Sequence, residues 1–340
     1  MRGAVLHAPG DVRVEERQDP KPIRPTDAVV RTVATCVCGS DLWSYRGANP
    51  LDGPTPIGHE YVGVVEEVGG EVSRIRPGQF VVGSFFASDN TCPNCRHGFQ
   101  TNCVNREPMG SVGCQAQYIR VPLADGTLVA TPEQPDERHV AGLLACSDVM
   151  GTGWYAAVAA GVTPGSTAVV VGDGAVGQCA VIAAKELGAE RIVIMSRHAD
   201  RQELARSFGA THVFPERGEE GVARVMELTG GIGADAVMEC VGTDESTRQA
   251  LRSARAGATV GFVGVPHGVT VEGTDLFRLH VGLRGGPAPV RRFLPDLVER
   301  VLSDRIDPGR VFDLTLPLEE TPAAYRAMDE RRAIKTLLLP

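Results

Sequence analysis

The sequence is short of positive charge, of cysteine and of long apolar runs, and each shortage excludes something. Lys and Arg number 34 against 42 Asp and Glu, a net charge of -8, so the basic footprint of a nucleic-acid binder is missing. The longest apolar stretches, such as Thr167–Val171 and Val140–Ala145, fall far short of the roughly 18–20 residues that span a bilayer. Met1-Arg2-Gly3-Ala4-Val5-Leu6-His7 turns polar too soon for a secretory signal, and a soluble, cytoplasmic chain is the expectation. Nine cysteines in 340 residues lie well under the roughly 8–10% of a disulfide scaffold. Where cysteines cluster, they point to metal rather than to disulfides.

What is present is ordinary for a folded chain: 43% hydrophobic and 22% charged residues. The length is enough for two or three domains. Glycine is the outlier, 40 residues, and implies many tight turns and close backbone approaches. Up to about Pro132 short β-branched runs are cut by Gly and Pro, as in Ala28–Val33, Tyr61–Val68 and Gln79–Gly83, which predicts a β-rich, barrel-like unit. From Thr163-Pro164-Gly165 the texture changes. Strands over Thr167–Val171, Arg191–Met195, Asp235–Met238 and Ala258–Val265 alternate with helices over Ala175–Leu187, Arg201–Phe208 and Ser246–Ala254, the pattern of βαβ units on a parallel sheet. A helix over Val290–Leu302 and extended Phe312–Leu316 and Ile334–Leu339 follow. The fold class expected is α/β: a β-rich unit over residues 1–150, a doubly wound unit over 151–286, and a tail, 287–340, returning to the first.

Thr167–Val171 runs straight into Gly172-Asp173-Gly174-Ala175-Val176-Gly177 and then a helical pattern. This GxGxxG sits in strand–turn–helix context, so each glycine has a task. Gly172 makes the turn, Gly174 lets backbone approach a pyrophosphate, and Gly177 allows close helix–strand packing. Amides at Ala175 and Val176 open the helix, whose N-terminus attracts phosphate. An NAD site places an acid near the end of the second strand. Here that strand ends Met195-Ser196-Arg197-His198. Arg197 suits a 2′-phosphate, where a guanidinium engages two oxygens; Ser196 donates a further hydrogen bond and Arg201 lies near enough to help. NADP(H) is the expected cofactor.

Asp89-x-x-Cys92-x-x-Cys95-x7-Cys103 has the spacing of a closed tetrahedral zinc site, which has a structural task because it leaves no open position. Asp89, three residues before Cys92, is the expected fourth ligand and His97 its rival. A second set is dispersed: Cys36-Val37-Cys38-Gly39-Ser40-Asp41, Gly58-His59-Glu60 and Cys146-Ser147-Asp148. Cys36 and Cys38 alternate, so at most one faces a site. Together the three stretches offer thiolate, imidazole and carboxylate to one zinc with a position left open, the catalytic arrangement. Cys114, Cys179 and Cys240 sit in apolar contexts and read as packing.

In that order, Cys38-Gly39-Ser40-Asp41, Gly58-His59-Glu60, the Cys-rich lobe, Thr152-Gly153 and the GxGxxG resemble the zinc-dependent alcohol dehydrogenases of the medium-chain dehydrogenase/reductase superfamily over essentially the whole chain. The resemblance implies a GroES-like catalytic domain that the tail rejoins, a Rossmann-type cofactor domain and a catalytic zinc in the cleft between them. It implies Cys38, His59 and Asp148 as ligands of that zinc, with Cys146 left to packing. Glu60 becomes the carboxylate able to enter the coordination shell. Asp41 becomes the group fixing the tautomer of His59, and Ser40 the group passing the substrate hydroxyl proton toward solvent. Val263 and Val265 line the nicotinamide end, with Val241 placed similarly. Two zinc ions per chain, hydride transfer between an alcohol and NADP(H), and a homodimer or homotetramer follow from the likeness. Two residues depart from the family pattern: Trp43 stands where many members carry a relay His, and Asp89 where a first Cys is common. A zinc-independent enone or quinone reductase of the same fold would not need Cys38, His59 and Asp148 together. A non-catalytic NADPH-binding protein would need no open metal position.

Overall fold

β-Branched residues at five of the nine positions of Ala28–Cys36 (AVVRTVATC) make it a strand with only Arg31 exposed, and the main sheet of the first unit is built around it. The computed structural model describes residues 1–340, in two units: residues 1–151 with 289–340, and residues 152–288. In the first, the strand order is Leu128–Ala130, Phe80–Gly83, Tyr61–Val68, Ala28–Cys36, Thr336–Leu339 and Leu314–Pro317, with Tyr118–Val121 also paired to Ala28–Cys36. The closing strand of the chain pairs antiparallel with the far end of Ala28–Cys36, Leu337 opposite Cys36 and Leu338 opposite Thr35. That seam carries Lys335 to the segment following Cys36.

A three-stranded sheet (Asp11–Glu16, Arg2–Ala8, Thr55–Pro56) completes the β-rich part. One core joins Val30, Tyr61, Val81, Ile119 and Leu128. Another packs Leu6, Val37 and Leu42 against Tyr325, Met328 and Leu338 near the end of the chain. Helix Thr321–Asp329, with Pro at its first turn, has no counterpart in the pattern read from the sequence.

In the second unit six strands, Thr167–Val171, Arg191–Met195, His212–Phe214, Ala234–Glu239, Ala254–Phe262 and Gly282–Gly285, form one parallel sheet in the spatial order 3-2-1-4-5-6. This is the Rossmann order. Thr167–Val171 at its centre is buried throughout, which is why it reads as an unbroken apolar run. Differences from the sequence reading are local. The fifth strand begins at Ala254, continuing through a left-handed Gly257 (φ +79°), and stops at Phe262; Val263–Val265 lies beyond it. The helix before it covers Asp244–Ser253, set by a capping box between Thr243 and Ser246. Helices Val149–Ala160 and Gly218–Leu228 also went unread. The first, VMGTGWYAAVAA, is predominantly apolar on all sides and shows no amphipathic period.

Candidate active site

The first cluster is assembled by the ends of elements. Cys38 follows the strand ending at Cys36, His59 and Glu60 precede the strand beginning at Tyr61, and Asp148 follows the helix Glu137–Cys146. Ser147 ties these pieces together: its Oγ accepts the Tyr61 N–H at 3.1 Å and donates to the Gly83 carbonyl at 2.6 Å. Gly58 turns the chain into His59 with φ +91°, and a Cβ there would meet Gln115 at 2.5 and 2.8 Å. Any other residue would push the imidazole away from its place.

One ligand atom each from Cys38, His59, Glu60 and Asp148 lies within 4.8 Å of the other three. Asp148 Oδ2 is 3.2 Å from His59 Nε2 and 3.7 Å from Cys38 Sγ. Nδ1 of His59 faces Asp41 Oδ1 at 3.2 Å, which leaves Nε2 turned to the cluster. Asp41 is itself held by the Cys38 N–H at 3.0 Å. Burial works against a charged imidazole, yet Asp41 and Asp148 raise the pKa of His59 well above its ordinary value. Burial raises the Cys38 thiol. Cys36 and Cys146 are fully buried and lie outside the set. Ser40 is half-buried just before the short helix Asp41–Tyr45, which contains Trp43.

Glu60 is fully buried. Its Oε1 is 3.9 Å from His59 Nε2 and accepts a 2.6 Å bond from Lys335 Nζ, which also donates to the Val37 carbonyl at 3.2 Å. Oε2 of Glu60 is buried with no hydrogen-bond partner, a costly state for a carboxylate oxygen. The donor set therefore fits a divalent cation: thiol, imidazole and two carboxylates outnumber the cations about them, and one buried oxygen is left over. Sequence reasoning missed Lys335. The available signal was a lysine at the start of an apolar closing strand, in a chain with only two others, Lys21 and Lys185.

The second cluster lies in the lobe between Ala87 and Glu107. Ligand atoms of Asp89, Cys92, Cys95 and Cys103 all lie within 4.8 Å of one another, and Cys92 Sγ is 3.5 Å from Cys95 Sγ. Tetrahedral zinc with sulfur at about 2.3 Å spaces its ligands by roughly 3.8 Å, so this set fits as it stands. Asp89 Oδ1 accepts the N–H groups of Thr91 (2.7 Å) and Cys92 (2.9 Å), and Oδ2 accepts from Asn105 Nδ2 at 2.8 Å. Although burial opposes it, these bonds hold the carboxyl well below the usual range. Cys103 Sγ accepts two amide N–H groups, from Asp89 and Asn105, at 3.4 Å each. Backbone N–H groups at Cys95 and Val104 lower the Cys92 thiol to about 7. His97 instead turns Nδ1 to the Pro93 carbonyl at 2.7 Å and is outside the set.

In the second unit the GxGxxG forms the tight turn between the first strand and the helix Ala175–Glu186. Gly172 has φ +114°, a Cβ on Gly177 would overlap the Gly172 carbonyl oxygen, and Gly174 faces open space immediately before the helix Ala175–Glu186. Room is thus left beside exposed Gly174 where a pyrophosphate would meet the helix N-terminus at half-buried Ala175 and Val176. At the second strand's tip Ser196 is buried and Arg197 exposed. Arg201 is not free to face outward: its Nη1 donates to Asp173 Oδ1 at 3.3 Å. Val241 and Val265 are 42% and 52% exposed on loops past the fourth and fifth strands, at the carboxyl edge of the sheet, with Val263 beside them. Glu239 Oε1 pins the first loop by accepting the N–H groups of Val241 and Gly242, both at 2.8 Å.

Residues 24–133 match the alcohol dehydrogenase GroES-like domain family, and residues 175–285 the zinc-binding dehydrogenase family. The zinc-type alcohol dehydrogenase B of Aspergillus flavus is 35% identical, over 99% of this chain and 81% of its own length. The alcohol dehydrogenase TADH from Thermus sp. ATN1 superposes with a TM-score of 0.91 at 32% identity, covering 100% of this chain and 99% of that one. A putative zinc-binding dehydrogenase from Sinorhizobium meliloti, solved bound to NADP, has a TM-score of 0.85 at 28% identity, with 100% and 99% covered. No helix is long and apolar enough to cross a membrane. With a GroES-like unit, a Rossmann unit and a relative 35% identical over 99% of this chain, the chain belongs to the zinc-dependent alcohol dehydrogenases of the medium-chain dehydrogenase/reductase superfamily.

Proposed function

We propose that the chain transfers a hydride between an alcohol and NADP(H), and reduces the corresponding aldehyde or ketone in reverse, with one zinc held by Cys38, His59 and Asp148. The observation that carries this reading is the meeting of these three side chains from stretches 21 and 89 residues apart. When bound, zinc there supplies Lewis acidity toward the substrate oxygen and the nicotinamide supplies or accepts the hydride. The residues do the rest. Asp41 holds the imidazole of His59 with Nε2 toward the cluster, and fixes the tautomer that ligation needs. Glu60, anchored by Lys335, keeps a carboxylate beside the ligands without occupying all of its own bonds. Ser40, half-buried at the edge, carries the substrate hydroxyl proton toward solvent. Asp89, Cys92, Cys95 and Cys103 hold a second zinc that fixes the lobe, four protein ligands leaving no open position.

For the cofactor, Gly172, Gly174, Ala175, Val176 and Gly177 cradle the pyrophosphate, and Val241, Val263 and Val265 line the nicotinamide end. Preference for NADP(H) is supported by the absence of an acid at the second strand's tip and by Ser196 and exposed Arg197 in its place. NADP in the Sinorhizobium neighbour accords with it. The open outer edge of the last strand, Gly282–Gly285, and the 87% exposed Phe277 support assembly as a homodimer or homotetramer. The test is a panel of alcohols and carbonyls with NADP(H) and NAD(H), on wild type and Arg197→Ala. Higher kcat/KM with NADP(H), lost in the variant, supports the reading. Equal or better use of NAD(H), with the ratio unmoved by the substitution, refutes the preference.

A further inference from the structure

The second position of the GxGxxG is an aspartate, and its carboxylate does not point to solvent. Asp173 is 6% exposed. Its Oδ2 accepts a 2.7 Å bond from Ser196 Oγ and lies 3.7 Å from Arg217 Nη2; its Oδ1 accepts from Arg201 Nη1 at 3.3 Å. Thus residues from the first βα turn, the second strand's tip, the helix after it and the segment past the third strand meet at one buried carboxylate. The side chains of Arg201 and Arg217 are 13% and 34% exposed, so both guanidinium groups are partly shielded from water. This is the end of the second strand, where such folds recognise the adenosine ribose: an acid accepts the 2′-hydroxyl, whereas an arginine accommodates a 2′-phosphate. Here both kinds of group are present. The acid missing from the strand tip enters the same place from the neighbouring turn.

We propose that Asp173 is a specificity-determining residue that narrows the distinction between the phosphorylated and unphosphorylated cofactors. The inference rests on the dinucleotide reading of this unit. The carboxylate acts in two ways, both in one direction. It is an acceptor for a ribose hydroxyl, which favours the unphosphorylated nucleotide. It also neutralises part of the charge of Arg201 and Arg217 and adds a negative charge beside a 2′-phosphate, which disfavours the phosphorylated one. Arg197, exposed and outside this cluster, is then the cation free to engage phosphate first. Arg217, the more exposed of the two paired arginines, is the one able to turn toward it.

The experiment uses nucleotide fragments and needs no turnover: dissociation constants of the full chain for 2′,5′-ADP and 5′-AMP by titration calorimetry, for wild type, Asp173→Asn and Arg217→Gln. The ratio in the wild type tests the NADP(H) preference; the change in that ratio tests Asp173. In Asp173→Asn the selectivity for 2′,5′-ADP over 5′-AMP is expected to rise roughly tenfold, the effect of one partly buried charge contact. An unchanged ratio overturns the proposal, and so does a falling one, which would mean that Asp173 only holds the arginines in place for phosphate. Arg217→Gln keeps the test open if the first variant misfolds. It should weaken 2′,5′-ADP by a similar factor and leave 5′-AMP alone. Equal effects on both fragments, or none, contradict the proposal.

Discussion

Replacing Lys335 by methionine removes the cation from a buried pair while keeping most of the side-chain volume. In the wild type the Lys335 and Glu60 side chains are 1% and 0% exposed and 2.6 Å apart, and Nζ also satisfies the Val37 carbonyl. A surface pair is worth at most about 1 kcal/mol. Stranding one partner of a buried pair costs about 3–5 kcal/mol, because the remaining charge has no compensation. Protonation of Glu60 would cap the loss near the lower end of that range, and the orphaned Val37 carbonyl adds about 1 kcal/mol. For a unit of this size the expected fall in Tm is on the order of 10 °C. The assay is thermal unfolding of the zinc-loaded protein at one scan rate, for Lys335→Met, Glu60→Gln and the double variant. The double variant should lose less than the two singles together by about 2 kcal/mol or more, since it leaves no stranded charge. A single-variant loss under about 1 kcal/mol, or strict additivity, would refute the claim that this pair is desolvated and coupled.

Gly58→Ala forces a side chain into a left-handed conformation and against Gln115. About 1–3 kcal/mol of stability should be lost, together with zinc affinity, because His59 is the next residue; equilibrium zinc titration of the purified variant checks both the site and the strain. In the second unit, Asp235 joins two strands by accepting the Thr167 N–H at 2.9 Å and pairing with Arg255, and both bonds lower its pKa, the amide first. A lowered folded-state pKa contributes stability above the unfolded value near 3.8 that is lost as pH falls through the folded value. Asp235→Asn should therefore cost about 1 kcal/mol at pH 7 and nothing once the pH is below both values. A stability difference that persists in acid would contradict the assignment.

What was legible in the sequence is what is local. The GxGxxG declares itself because strand, turn and helix are contiguous, and the lobe cysteines because their spacing is short. Four strands of the second unit follow for the same reason, with shifted ends as at Gly257, whereas the short edge strands His212–Phe214 and Gly282–Gly285 carry too few apolar residues to declare themselves. What was illegible depends on pairing across long separations. Nothing near Glu60 announces Lys335, 275 residues away; only the pairing of Leu337 with Cys36 brings them together. The sequence alone assigns Asp173 no role, since its partners Ser196, Arg201 and Arg217 come from three later elements. Arg201 lies near enough in sequence to help hold a phosphate, but the carboxylate that engages it is invisible until the turn and the second strand lie side by side. Asp89 and His97 are both near Cys92 in sequence. The choice between them is made by which side chain turns inward, and backbone amides hold Asp89 there.

Zinc content per chain tests the central claim most directly. Elemental analysis of the purified wild type is predicted to find two zinc ions per chain. His59→Ala should hold one, losing turnover while its affinity for 2′,5′-ADP is unchanged. Two ions retained in His59→Ala, or a wild type with full activity after its metal is removed, would contradict the account.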